Sequence, residues 1–185
     1  MVLPSISPLS DTSALGARSI DVPPPLKFKP LKGLITEVKI GAEIAFAHIN
    51  TNMSFARIAG LKYERGFLEY LRKKWSPVTI HPHIHFRDDG AYRTAIPDGI
   101  AFTPNGVVVF EVKSQHMPEA WWQLEKLYMP IISAAFPDTE VRGIEVVKIY
   151  DPQIKWPGQY VLYNDLDDAI MGSSHLGVLK WRKQT

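Results

Sequence analysis

The stretch Val107-Val108-Val109-Phe110-Glu111-Val112-Lys113 constrains the fold of this chain more than any other. It is dense in β-branched and aromatic residues, which favour β-strands, and it follows Pro104-Asn105-Gly106, a sequence typical of a tight turn. A strand of this kind is expected in the core, yet it ends in a glutamate and a lysine. Buried charge is costly unless it is paired or holds a metal. We therefore expect these two side chains either to pair with other charges or to bind a cation.

The segment before the turn supplies a partner for this strand. Residues 94–103 are predicted to form a strand that pairs with it in a hairpin. Asp98 precedes the turn by about as many residues as Glu111 follows it, so pairing around the turn can place the two carboxylates side by side. Residues two apart on a strand face the same way. Lys113 is therefore expected to share the face of Glu111, with Phe110 and Val112 on the other face.

Two carboxylates held together repel each other unless a cation lies between them. A divalent cation prefers hard oxygen ligands, and the main-chain carbonyl of Val112 can supply a further oxygen. Such a cation makes a bound water easier to deprotonate and neutralises charge that develops on a phosphate. Lys113 can orient the attacking water or stabilise the phosphate. Each motif alone is common in surface ion pairs and turns, but their combination on adjacent strands predicts a site for phosphodiester hydrolysis.

A third acidic candidate lies on a predicted helix that runs from near Ser54, a potential N-cap, to about Lys74. Glu64 falls on the apolar stripe of this helix, whereas Glu69 falls on a face that we interpret as solvated. We interpret Glu64 as a ligand of a second metal or as a water-mediated support of the site. A half-buried glutamate paired with an arginine is the alternative.

Gln123 lies near the start of a second predicted helix, which Pro118 opens and which Pro130 should kink or split. Its amide can hydrogen-bond the site or a DNA phosphate, and a plain surface role is the alternative. The predicted strand 78–86 carries His81, His83 and His85 on one face. Imidazoles bind zinc and similar metals, but we favour a polar strand face beside a substrate cleft. Pro82 within this strand indicates an edge position or a bulge.

The order of these elements predicts the architecture. A helix, three strands, a helix and a strand near residues 141–150 indicate an α/β fold with a central mixed β-sheet of about four to five strands flanked by helices. Residues 1–30 hold six of the fifteen prolines and are predicted to form an extended arm. Residues 31–150 are predicted to form the core, and residues 151–185 a C-terminal extension packed on it.

Composition excludes thiol-based sites and gives no signal for a membrane span or for secretion. The absence of cysteine excludes disulfides and thiolate metal sites. No apolar run is long enough to predict a membrane span, and the N-terminal residues do not resemble a secretory signal. The net charge of +2 permits nucleic-acid binding without arguing for it. We interpret the basic residues of 60–75 and of 180–183 as solvated faces.

With these residues placed, the chain resembles the PD-(D/E)xK nuclease superfamily. Within it, the chain is most similar to the archaeal Holliday-junction resolvases and related phage endonucleases. Their pattern has a Glu on the first helix, Pro-Asp on the second strand, Glu-x-Lys on the third strand and a Gln on the next helix. It maps here to Glu64, Asp98, Glu111 with Lys113, and Gln123. The stretches that carry the resemblance are GLKYERGFLEYLRKKW (60–75), IPDGIAF (96–102), VVVFEVKS (107–114) and WWQLEKLY (121–128).

The resemblance implies a restriction-endonuclease-like core of order αβββαβ and a Mg²⁺-dependent cut in DNA, with Mn²⁺ as a substitute. It implies catalytic roles for Asp98, Glu111, Lys113, Glu64 and Gln123, and metal ligation by Asp98, Glu111, Val112 and Glu64. A homodimer and a cytoplasmic location are expected, in the host cell if a phage encodes the chain. The arm and the extension have no counterpart in the minimal fold.

We therefore hypothesise a metal-dependent DNA endonuclease, selective for branched DNA, that acts in phage or mobile-element DNA processing and recombination. One alternative is an exonuclease of the same fold. The other is a non-catalytic DNA-binding or assembly module that has kept the fold.

Overall fold

The structure, a computed structural model, describes residues 28–50 and 52–182. Most of the predicted proline-rich arm, residues 1–30, therefore lies outside the described residues. In chain order the elements are strand β1 (Ile35–Glu43), helix α1 (Phe55–Lys74), strands β2 (Val78–Ile80), β3 (Pro82–Asp88), β4 (Ala91–Ala95), β5 (Gly99–Thr103) and β6 (Gly106–Gln115), helix α2 (Pro118–Gln123), a π-helical turn (Leu124–Tyr128), helix α3 (Met129–Ala135), strands β7 (Val141–Ile149) and β8 (Val161–Tyr163), helix α4 (Leu166–Met171) and strand β9 (Leu176–Lys180).

The strands form a central six-stranded sheet and a smaller three-stranded sheet. The central sheet has the order β2-β5-β6-β7-β9-β8, and the small sheet has the order β1-β3-β4. Strands β2, β5 and β6 pair antiparallel, whereas β6, β7, β9 and β8 pair parallel. The predicted α/β class with a mixed sheet is confirmed. The predicted count of four to five strands is wrong, because residues 151–182 contribute β8 and β9 to the central sheet.

Helices cover both faces of the central sheet, as the apolar run of β6 requires. Val108, Phe110 and Val112 pack with α1 and α4, whereas Val107 and Val109 pack with the helix that spans 118–135. This alternation confirms the predicted faces of β6. Gly106 opens the strand with φ +131°, and a Cβ there would lie 2.2 Å from the Glu140 carbonyl oxygen. Only glycine fits this turn.

Two strands predicted as continuous are each divided between the two sheets. The predicted strand 78–86 breaks at His81, whose φ of +46° is left-handed, so β2 lies in the central sheet and β3 in the small one. The predicted strand 94–103 likewise breaks at residues 96–98 into β4 and β5. Pro97 contributes to this break because it has no N–H to donate to a ladder. The two crossings lie side by side, since the His81 amide donates to the Asp98 carbonyl over 2.9 Å.

The two long helices begin and bend where the sequence predicts. Ser54 caps α1 by accepting a hydrogen bond from the Arg57 amide over 3.3 Å. The helix over 118–135 contains a π-helical turn immediately before α3, near Pro130, which confirms the predicted irregularity. Within the described part of the chain, no helix combines the length and apolar character that a membrane crossing requires.

A buried ion pair anchors the segment that leads into β1. The Asp88 side chain is fully buried and accepts hydrogen bonds from the Lys32 and Gly33 amides over 2.8 and 3.0 Å. Asp88 also pairs with Arg93, which donates to the Lys29 and Pro30 carbonyls over 2.6 and 2.9 Å. Burial acts to raise the pKa of Asp88, but the bonds from Arg93 and the two amides outweigh it and hold the pKa below its usual value.

Replacing Asp88 with asparagine should lower the free energy of unfolding by about 3 kcal/mol, because Arg93 then loses its buried partner. A carboxylate whose pKa is depressed on folding contributes stability at neutral pH and loses it as the pH falls through the folded-state pKa. The difference between wild type and Asp88→Asn in urea denaturation should therefore shrink under acid conditions. Asp89→Asn, at the exposed neighbouring position, is the control. An equal loss of unfolding free energy in that variant would contradict the prediction.

Candidate active site

The carboxylates of Asp98 and Glu111 converge where the two crossings meet the central sheet. The β5–β6 register pairs Gly99 with Phe110, so the next step brings Asp98 opposite Glu111. Oδ2 of Asp98 accepts the Val112 amide over 2.6 Å. Burial raises the pKa of both carboxyls, and the charges of Glu111 and Glu64 raise that of Asp98 further. The predicted convergence of the two carboxylates is thus present, although Asp98 lies in the crossing just before β5. Burial makes it costly for the cluster to keep all its negative charge without a cation or a proton.

Lys113 lies beside this cluster, on the same face as Glu111. Its Nζ is 2.5 Å from Oε1 of Glu111. Burial acts to lower the pKa of Lys113, but the charge and hydrogen bond of Glu111, then the charge of Asp98, outweigh it and raise the pKa. The side chain is therefore an ammonium at neutral pH, and it donates hydrogen bonds.

Helix α1 brings Glu64 to the same place. Glu64 is half-buried, whereas Glu69 is exposed, as predicted for these two residues. Oε1 of Glu64 lies 2.9 Å from Nε2 of His81; the partner is a histidine rather than an arginine. Together with Asp98, these two residues offer three ligand atoms that lie within 4.8 Å of one another. The three residues form a group that could hold a metal ion.

The assignment of His81 to a shared strand face was wrong. His83 and His85 lie on β3, with ring centroids 4.3 Å apart, but His81 lies at the crossing between the sheets. Its left-handed backbone turns the imidazole towards Glu64 and away from the other two histidines. Left-handed non-glycine residues are costly and are concentrated at functional sites. The sequence signal was Pro82, which marks the break but does not say that the preceding side chain joins the carboxylates.

Gln123 approaches the cluster from α2, and its proximity to Glu111 helps to lower that carboxyl's pKa against the larger effect of burial. Its Nε2 donates to the Tyr128 hydroxyl over 3.4 Å. Within residues 28–50 and 52–182, neither Oε2 of Glu111 nor Oε1 of Gln123 has a hydrogen-bond partner, although both atoms are buried. Unpartnered buried oxygens are costly, and a divalent cation or a water beside it would satisfy them. The donor set of carboxylates and one imidazole fits such a cation.

The cluster opens into a cleft of about 630 Å³ that lies between the small sheet and α2. Lys113 and Gln123 line it, together with three further charged residues, Lys29, Arg93 and Glu119. Arg93 is already paired with Asp88, and Lys113 with Glu111. The cleft therefore offers an anionic ligand hydrogen-bond donors and the charge of Lys29 rather than three free cations. Sequence reasoning missed Lys29 and Arg93, because only the folded small sheet brings them opposite Lys113.

A second buried carboxylate lies on the neighbouring strand. Glu145 on β7 is in register with Glu111, and it is fully buried. It hydrogen-bonds the buried His116 ring and accepts the Met117 amide over 3.1 Å. Burial raises its pKa despite these partners. Since its own partners satisfy both oxygens, we do not count Glu145 among the candidate ligands.

Comparisons with models of protein families, with curated proteins and with solved structures find no match to this chain.

Replacing Asp98 with asparagine should raise the stability of the metal-free protein. The amide keeps an acceptor for Val112 but removes one of several buried charges that repel each other. A gain of about 1 kcal/mol corresponds to a rise in Tm of about 2–4 °C for a chain of this size. The same change should abolish the rise in Tm that Mn²⁺ causes in the wild type, since cation binding stabilises only a chain that keeps the site.

Thermal denaturation with and without Mn²⁺ measures both effects. Asp138→Asn, at an exposed position, is the matched control and should leave both values unchanged. An Asp98→Asn protein that is less stable than the wild type and keeps its Mn²⁺ response would show that Asp98 is no ligand.

Proposed function

We propose that this protein is a metal-dependent phosphodiester hydrolase that cleaves DNA. One observation carries the proposal: Glu64, His81 and Asp98 offer ligand atoms within 4.8 Å of one another. Glu111, which keeps one buried oxygen without a partner, and the ammonium of Lys113 lie beside them. Structural ion pairs do not need this excess of carboxylates, and burying it costs stability. Buried carboxylates that repel one another unless a cation or a proton joins them are typical of functional sites.

Glu64, His81 and Asp98 would hold the cation, with Glu111 and the Val112 carbonyl as further candidate ligands. When bound, a divalent cation lowers the pKa of a water and neutralises charge on a phosphate. The oxygen-rich set suits Mg²⁺, and the imidazole makes Mn²⁺ at least as suitable.

The remaining residues bind and orient the substrate. Lys113 donates hydrogen bonds into the cleft, where it can hold a non-bridging phosphate oxygen or position the attacking water. The unpartnered carbonyl oxygen of Gln123 can accept a hydrogen bond from that water. Lys29 lines the same cleft and can provide positive charge for a phosphate next to the scissile one.

The resemblance to the PD-(D/E)xK nucleases supports the same reaction. The five residues that it assigns (Glu64, Asp98, Glu111, Lys113 and Gln123) support the proposal by their proximity, although they come from two helices, one strand and the crossing before β5. We propose endonuclease action, with branched DNA as the first substrate to test and a homodimer as the form that would cut two strands. Exonuclease action and binding without cleavage are the alternatives.

Incubation with Mg²⁺ or Mn²⁺ and three DNA substrates tests the proposal. The substrates are closed circular DNA, linear duplex and a four-way junction. Nicking of circles or cutting of junctions is the expected result; loss of linear DNA alone would assign an exonuclease. Failure to cleave any of the three with either metal would overturn the proposal.

Lys113→Ala and Asp98→Ala should each lower the cleavage rate by about 10²-fold or more, since each removes a group that acts on the reacting phosphate or holds the cation. Circular dichroism should show an unchanged fold. Lys155→Ala, at an exposed position outside the cleft, is the control and should cleave at the wild-type rate. Wild-type rates in Lys113→Ala or Asp98→Ala would remove those residues from the site.

Exchanging His81 for asparagine should change the preference for the metal. Asparagine tolerates the left-handed backbone, and its amide oxygen is a harder ligand than imidazole. We expect the ratio of the Mn²⁺-supported to the Mg²⁺-supported cleavage rate to fall about tenfold. His83→Asn provides the control, and an equal fall there would mean that His81 does not contact the cation.

A further inference from the structure

A second groove, of about 540 Å³, lies at the carboxyl ends of β7 and β9. Strands β6, β7 and β9 are parallel neighbours, so their carboxyl ends share one edge of the central sheet. The register places Lys113, Val147 and Lys180 in one row across the three strands. Lys180 in the groove is therefore two strand spacings, about 10 Å, from Lys113 in the candidate active site.

Positive charge dominates the lining of this groove. It contains Lys148, Lys180 and Arg182, against the single carboxylate of Asp165. Asp165 is already engaged, because its Oδ1 caps α4 by accepting the Asp167 and Asp168 amides over 2.8 and 3.2 Å. None of the three cations forms an ion pair with any residue in the described ranges. Their charge is therefore available to an anionic ligand.

Aromatic rings stand between these charges. Tyr70 and Tyr150 are half-buried and line the groove. The Tyr70 ring lies against Trp181, with centroids 5.8 Å apart. Trp181 is fixed in turn by Phe67, at 5.4 Å, and by the Tyr63 hydroxyl, which donates to its carbonyl over 3.0 Å. The Tyr150 hydroxyl hydrogen-bonds the Tyr160 hydroxyl over 3.0 Å. Both tyrosine rings are thus held in place before any ligand binds.

We propose that this groove binds single-stranded DNA, at the same edge of the central sheet as the candidate active site. A basic groove with fixed aromatic rings is the arrangement that holds a nucleic-acid strand by its phosphates and stacks its bases. Duplex DNA would offer the phosphates but not the faces of its bases, which are already stacked. The choice of DNA over RNA rests on the proposed function, whereas the binding of a single strand does not.

Fluorescence anisotropy with a labelled oligothymidylate in EDTA tests the groove without any cleavage. In the double variant Lys148→Ala/Lys180→Ala, the slope of log K against log salt should fall by about 1.4, at about 0.7 for each lost single-strand phosphate contact. Tyr70→Leu should weaken binding about fivefold or more, the loss of one stacked base. The controls are Lys39→Ala/Lys155→Ala and Tyr92→Leu, at exposed positions outside the groove.

Reduced slope and affinity in the groove variants, with unchanged controls and an unchanged melting temperature, would support the groove. Unchanged binding in the groove variants, or an equal loss in the controls, would overturn it. Binding of oligouridylate in place of oligothymidylate would overturn the assignment to DNA. If the wild type cleaves DNA and the groove variants bind normally, the groove proposal fails and the proposed function stands. If the wild type does not cleave DNA but the groove variants bind more weakly, the proposed function fails and the groove proposal stands.

Discussion

One main-chain hydrogen bond, from the His81 amide to the Asp98 carbonyl over 2.9 Å, holds together the two places where the chain passes between its sheets. At His81 the chain leaves the central sheet for the small sheet, and at Asp98 it returns to the central sheet. Both residues that make this bond also direct a side chain towards Glu64. The candidate cation ligands are therefore positioned by backbone geometry, and their mutual repulsion is resisted by two sheets rather than by flexible side chains.

The rest of the structure offsets the cost of this cluster. Strand β6 carries apolar side chains into both cores, so the segment that ends in Glu111 and Lys113 is among the most firmly held in the chain. On the other wall of the cleft, the buried pair of Asp88 and Arg93 fixes residues 29–33. Rigid supports of this kind keep a catalytic group in position before the substrate arrives.

Local signals explain what could be predicted from the sequence. The β-branched run of β6, the Ser54 cap and the residue count around the turn at 104–106 are short-range features, and they led to the convergence of Asp98 with Glu111. The division of two strands between sheets could not be predicted, because Pro82 and Pro97 mark breaks without saying which strand pairs next. The place of His81 was missed for the same reason. So was the place of β9, whose partners β7 and β8 are chosen by long-range packing.

The interior position of β9 has a consequence during synthesis. Residues 176–180 form a strand with neighbours on both sides, and Trp181 then seals the helix that carries Glu64 through its contacts with Tyr63 and Phe67. A ribosome must therefore translate nearly all of the described chain before the sheet can close. Until residues 176–181 have been translated, the central sheet lacks the strand between β7 and β8, and the helix that carries Glu64 lacks its contact with Trp181.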